Sequence, residues 1–188
     1  MLGGGHETSY GHFLGYVRAG RAVEILNWDV HPDVPELKQG QGHSGSPFRQ
    51  ALEHPAGLCR RYSVAGLQPH SVARGHLDFV LQRGQAICCE EVSPPVIRDL
   101  YRKSKAPVMA SFDLDVVGQS EAPGVSAPAP SGLGAELWFA AAYEAGRSPV
   151  VASADVVELS PRLDVGDQTA RLAALTVWWL LRGRAGKE

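Results

Sequence analysis

Five apolar runs divide the chain at regular intervals, and Gly or Pro marks most of the joins between them and the segments that follow. "AVEILNW" (22–28), "YSVAGL" (62–67), "QAICCEE" (85–91), "APVMASFDLDV" (106–116) and "PVVASADVVEL" (149–159) predict strands. Their near-continuous apolar character suits a parallel sheet covered on both faces. Segments of helical period alternate with them at 71–84, 93–105, 132–146 and 167–183, with an earlier helix from about Glu7 to Arg18. Ser93 followed by Pro94 is a favoured helix start. The alternation predicts an α/β fold with right-handed crossovers and a doubly wound, mainly parallel sheet. Two connections, 30–60 and 117–131, are long, rich in Gly, Pro and Ser, and each follows a strand that ends in acidic residues. Such loops, at the carboxyl ends of parallel strands, are where these sheets carry their sites.

Composition narrows the class. A length of 188 residues fits one domain with a real core, so 1–188 is expected to be a single unit. A formal charge of −2 gives no general attraction to nucleic acid or to an anionic membrane. The most apolar segment, "ARLAALTVWWLLRG", is short and carries Arg171, which argues against a membrane span. Cys59, Cys88 and Cys89 lack ligand-like spacing and are expected to be buried and reduced, in keeping with a cytoplasmic setting.

The chemistry concentrates at the acidic strand ends. "LNWDVHPDV" (26–34) places Asp29, His31 and Asp33 two apart, which in extended backbone puts them on one face. A polar turn and a metal site both fit that stretch alone. "SFDLDVV" (111–117) repeats the spacing with Asp113 and Asp115. Two desolvated carboxylates on one face would repel each other at a cost of several kcal/mol, and a divalent cation removes the objection. With His6 of "GGGHE" the set comprises four carboxylates and two imidazoles, without a thiolate. That donor set favours Mn(II), Mg(II) or Fe(II) over structural zinc.

In order, "GGGHE" (3–7), "NWDVHPD" (27–33), "SFDLDVV" (111–117) and "DVVELSP" (155–161) resemble the signature motifs of the ureohydrolases, the arginase, agmatinase and formimidoylglutamase enzymes. The resemblance implies a three-layer α/β/α sandwich and a dinuclear manganese site, two Mn(II) per chain, held by His6, Asp29, His31, Asp33, Asp113 and Asp115. It further implies that Asp29 and Asp113 bridge the ions, with His6 on one ion and His31 on the other. "GHSGSPFRQ" (42–50), "APGVSAPAPSGL" (122–133) and "DQTARLAA" (167–174) are similar to formimidoylglutamase segments. The implied reaction is hydrolysis of N-formimidoyl-L-glutamate to glutamate and formamide, a step of histidine degradation. Glu158 would face the substrate amidinium and Asp115 would carry a proton to the leaving nitrogen. His43 stands near the family's proton-shuttle histidine, but "GHSGSP" is not a clean match and a plain loop histidine fits it better. Arg49, with Ser44, is a candidate for gripping the substrate, and Arg49 also fits a residue that bonds a helix end. His12 and His76 fall within helices and read as surface or packing residues, while Trp178 and Trp179 should pack the last helix against the sheet or a neighbouring subunit.

The resemblance begins at the first metal motif, and the strand leading into it is reduced to Met1 and Leu2. The fold is therefore expected to lack the family's first strands, leaving His6 on a flexible end. The relatives' habits imply a homo-oligomer acting on a small molecule, with neither nucleic acid nor membrane as partner. Agmatinase-like guanidino hydrolysis is the alternative activity. A remnant that works only through association is the alternative outside catalysis.

Overall fold

The computed structural model describes residues 1–186. Five strands form one sheet: β1 (Val23–Trp28), β2 (Cys59–Leu67), β3 (Gly84–Cys88), β4 (Val108–Asp113) and β5 (Val151–Val157), in the order β3-β2-β1-β4-β5. All four neighbouring pairs are parallel. The helices are α1 (Thr8–Arg18), α2 (Pro47–Glu53), α3 (Arg74–Leu81), α4 (Pro94–Arg102), α5 (Ala135–Arg147) and α6 (Gln168–Ala185).

Alternation along the strands builds the three layers. Val23 and Ile25 of β1 join a core with Phe13 of α1, Phe48 of α2 and Val80 of α3. Leu26 and Trp28 turn the other way, into a core with Ile97 and Leu100 of α4 and Trp138 of α5. The Trp28 indole N–H donates to the Tyr101 hydroxyl at 2.9 Å, and that hydroxyl donates to Ala141 O at 3.1 Å, which ties β1, α4 and α5 together. The α/β/α architecture expected from the sequence is the one observed.

Differences are local. The strand expected over 106–116 ends at Asp113, and a 3-10 turn over Leu114–Val116 follows it. β3 likewise gives way to a 3-10 turn at Cys89–Glu91. β2 begins at Cys59 rather than at Tyr62, and α2 lies inside what reads as loop. The three cysteines are free, as expected, but half-buried rather than buried. Trp179 stacks on Phe139 of α5 at 6.1 Å between centroids rather than on the sheet, and Trp178 is 48% exposed. Nor is the N-terminus a free end. Leu2 bridges Val156 in parallel, and Gly3 N–H donates to Val156 O at 2.9 Å, so residues 1–4 line the outer edge of β5.

α5 and α6 meet backbone to backbone. A Cβ on Gly146 would lie 2.0 Å from Leu180 O, and one on Gly183 would lie 2.2 Å from Tyr143 O. Gly183→Ala is expected to destabilise by about 2 kcal/mol, despite alanine's better helix propensity, because the helices must separate. Gly11 of α1 has open space where its Cβ would be. Gly11→Ala should therefore stabilise by ~0.5–1 kcal/mol. Thermal unfolding of the two variants should move in opposite directions.

Candidate metal centre

β1 and β4 are neighbours at the middle of the sheet, and the chain leaves them on opposite sides, toward β2 and β3 in one case and toward β5 in the other. Loops that diverge at such a switch leave a crevice at the carboxyl ends of the strands. Both acidic motifs open onto it. Asp29 follows the last residue of β1, Asp113 is the last residue of β4, and Glu158 follows β5.

One local device shapes both motifs. Asp29 Oδ1 accepts the His31 N–H at 2.6 Å, and Asp113 Oδ1 accepts the Asp115 N–H at 2.8 Å. These are Asx-type turns, in which a carboxylate bonds backbone two residues on. The i, i+2 convergence is thus real, but turns produce it rather than extended strand. Asp33 (φ +46°) and Glu158 (φ +70°) hold left-handed backbone, an uncommon conformation for residues with a Cβ.

The structure brings the six expected ligands together. His6 Nδ1 lies 2.9 Å from both Asp33 Oδ2 and Asp113 Oδ2, and 3.3 Å from Asp29 Oδ2. Three carboxylates converge on this one nitrogen, so these atoms are arranged around a shared point rather than paired one to one. His31 Nδ1 lies 3.2 Å from Asp115 Oδ2 and 3.4 Å from Asp29 Oδ1. His6, Asp29 and Asp33 form one candidate ligand group, Asp29, His31 and Asp115 the other, and Asp29 belongs to both. Phe48 packs edge-on against the His6 ring at 5.0 Å.

Electrostatics explain why such a cluster needs a cation. Four carboxylates face two imidazoles, so even with both rings charged the sum is −4 + 2 = −2. Burial and the charge of Asp29 push Asp33 up to about 6 and Asp113 up to about 7. Burial, with Asp113 and Asp29 beside it, raises Asp115 well above the carboxylate range. Asp29 goes the other way: burial opposes its ionisation, but bonds from His31 and His6 outweigh that and hold it well below the usual range. Bonds to Asp115 and Asp29 push His31 up to about 11. Burial also opposes the charging of His6, yet the charge of Asp113 and its bonds raise it well above the ordinary imidazole value. Protons do here what a divalent ion does better, since each carboxylate is then free to stay ionised. Asp115 Oδ1, buried and without a hydrogen-bond partner, fits the same donor set.

The cleft above these groups encloses about 340 Å³, with His6, His31, Asp33, Asp113, Asp115 and Glu158 in its lining and Ser44 at its rim. Glu158 is held at both oxygens: Oε1 accepts the His6 N–H at 2.6 Å and Oε2 accepts from Ser126 Oγ at 3.1 Å. His43 and Arg49 are not part of this lining. His43 Nδ1 accepts the Gly45 N–H at 3.2 Å within its own loop. The Arg49 guanidinium sits 4.0 Å from the Phe79 ring centroid, with Nε 2.9 Å from Glu53 Oε1. His76, expected to be a surface or packing residue, lines the cleft, as does Ser71, which the sequence did not single out as a site residue. Sequence reading also passed over Asn27, whose Nδ2 donates to Asp29 Oδ2 at 2.9 Å, and Tyr62, which donates to Pro32 O at 2.8 Å. A larger cavity of about 650 Å³ lies at the amino end of β5, between α4 and α5. Its arginines include Arg102 and Arg147, already paired with Asp99 and Glu144, and none of the six candidate metal ligands lines it.

An all-parallel α/β sheet with two overlapping His/Asp groups at its switch point defines a protein built around a candidate divalent-metal cleft. The chain belongs to the arginase family, whose model matches residues 1–182. It is 36% identical to a formimidoylglutamase from Rhodococcus opacus, with 93% of this chain aligned to 58% of that protein. A formimidoylglutamase from Geobacillus is 32% identical, with 93% of this chain aligned to 56% of that one. A formiminoglutamase from Trypanosoma cruzi, solved with Mn2+, superposes with a TM-score of 0.91 at 30% identity, over 100% of this chain and 65% of that one. A proclavaminate amidino hydrolase from Streptomyces clavuligerus superposes with a TM-score of 0.85 at 29% identity, over 98% of this chain and 63% of that one. The chain thus spans well under two thirds of the length of the relatives it matches in sequence.

The raised pKa of Asp113 carries a sign. Its ionised form is the one the fold penalises, so the stability it contributes is complete only below its ordinary value of 3.8 and is lost progressively as pH rises from there through about 7. In chelator, Asp113→Asn is therefore expected to raise the melting temperature at pH 8 by at least about 2 °C, the response to ~1 kcal/mol in a chain of this size. At about pH 3, where the carboxyl holds its proton in the folded and the unfolded chain alike, thermal unfolding should show little difference between the two proteins.

Proposed function

We infer that the chain is a dinuclear-manganese hydrolase of linear amidines, with N-formimidoyl-L-glutamate as substrate and glutamate and formamide as products. The observation that carries this reading is the pair of ligand groups sharing Asp29, with Glu158 held at the mouth above them. Formimidoylglutamases among its relatives, and the Mn2+ in the Trypanosoma cruzi structure, support the substrate and the metal. His6, Asp29, Asp33 and Asp113 would hold one ion; His31, Asp29, Asp113 and Asp115 the other. The metal pair, when bound, supplies an activated water at neutral pH.

The chain's own residues do the rest. Glu158 keeps a negative oxygen beside the amidinium of the substrate, while its bond to the His6 N–H fixes the carboxylate's direction. Asp115, with Oδ1 unpartnered, holds the proton that the leaving nitrogen needs. Ser44, in the cleft lining, would meet the rest of the substrate, whereas Arg49 and His43 are held elsewhere, at Phe79 and Glu53 and within the 43–45 loop. Histidine degradation in the cytoplasm and a symmetric homo-oligomer complete the proposal. The likeness to a proclavaminate amidino hydrolase favours guanidino-acid hydrolysis as the second reading.

Metal content and turnover test it together. The protein purified with Mn(II) is expected to hold two ions per chain and to release formamide from N-formimidoyl-L-glutamate. Urea from a guanidino acid instead would establish the second reading, and bound metal with no turnover of either would leave a non-catalytic remnant. Asp29→Ala should lose both ions and Asp115→Ala only one, by elemental analysis. Glu158→Gln, which keeps the acceptor for His6 N–H, is expected to lower kcat/KM about 10- to 100-fold, the worth of one charge-assisted hydrogen bond.

A further inference from the structure

Behind His6 runs a file of polar groups that no ligand role uses. His6 Nε2 lies 3.0 Å from Ser111 Oγ, which donates to Asp155 Oδ1 at 2.6 Å. Ser9 Oγ donates to the same carboxylate oxygen at 3.2 Å. Asp155 Oδ2 accepts from His12 Nδ1 at 2.6 Å, and His12 Nε2 meets Ser153 Oγ at 2.7 Å. Tyr16 closes the file, its hydroxyl 2.6 Å from Ser153 Oγ. Ser9, Ser111 and Asp155 are fully buried, whereas the His12 side chain retains 13% exposure.

Proton counting gives this file a direction. A serine hydroxyl has one proton, and an ionised carboxylate only accepts. Ser111 gives its proton to Asp155, so toward His6 it can only accept. His6 Nε2 must then carry a proton, which leaves Nδ1 as the nitrogen free to offer a lone pair to a cation at the point where Asp29, Asp33 and Asp113 converge. A metal-binding imidazole commonly has its tautomer set by the partner of its other nitrogen, and losing such a partner costs 10- to 100-fold in affinity.

We propose that Ser111, Asp155 and His12 form a positioning array that fixes the tautomer and ring orientation of His6 for divalent-cation binding, with His12 as its outer anchor. The proposal rests on the metal-centre reading above. It makes His12, which touches no ligand, a determinant of metal affinity. Asp155 has three donors, and the loss of the one from His12 leaves Ser111 on a less firmly held acceptor.

The test is Mn(II) binding to the full chain, followed by the electron-paramagnetic-resonance signal of free Mn(II), alongside thermal unfolding in chelator. Ser111→Ala is expected to weaken the His6-side ion by about 10- to 100-fold, and His12→Ala by about tenfold. His12→Asn, whose amide N–H replaces the imidazole donor to Asp155, should restore binding. If His12→Ala and Ser111→Ala lower the metal-free melting temperature but leave Mn(II) affinity unchanged, the groups are structural only and the proposal falls. If Ser111→Ala fails to fold, the His12 pair, at a partly exposed helical position, decides alone. Wild-type protein that binds no Mn(II) overturns the function proposed above and this array with it. Wild-type protein that binds two ions, with variants that match it, overturns only the array.

Discussion

Like charges held together in a dry place are the constraint around which this molecule is arranged. Asp29, Asp33, Asp113 and Asp115 meet at the carboxyl ends of two adjacent strands, all of them buried, and two imidazoles do not neutralise them. Nothing in such a cluster contributes to folding by itself; the rest of the structure holds it in spite of the repulsion. The two apolar cores, one on each face of the sheet, provide that hold. So do the backbone N–H groups that the inner carboxylate oxygens accept.

Position in the sheet matters as much as residue type. β1 and β4 are central, flanked on both sides and buried along their length, so their ends are the most rigid points from which to hang side chains. The loops after them diverge and leave room for a ligand. Glu158, from the next strand over, reaches the same crevice only because its backbone turns left-handed immediately after β5. Two of the four left-handed non-glycine residues among the described residues, Asp33 and Glu158, are thus at the site.

Much of this is legible along the chain because its signals are local. Continuous apolar runs mark buried parallel strands, and paired acidic residues at their ends mark the crevice, since few other structures tolerate that pattern. What escapes the sequence is contact between distant segments. α2 is a short helix opening on Pro47, too brief for a period to show against the Gly and Ser around it. His76 reads as any helical histidine, because periodicity gives a helix face but not what lies opposite it. The bond of His12 to Asp155 joins residues 143 apart, and neither has a neighbour that announces it. Arg49 and His43 show the converse: residues that sit in a suggestive motif, whose side chains in this structure turn to Phe79 and to the loop backbone.

The pairing of residues 1–4 with β5 gives the site an unusual place in the order of folding. His6 arrives at the cluster from the first residues of the chain, and the carboxylate that grips its N–H is 152 positions away. Closing so large a loop is slow, and its entropy is recovered only once the intervening strands have taken their places. The crevice is therefore completed late, after β1 and β4 have already brought the acidic residues together. A growing chain on the ribosome carries most of the ligands long before it has the strand that secures the first one. Until β5 is made and docked, the His6 side of the cluster stays open, and a complete ligand shell marks a chain whose β5 is in place.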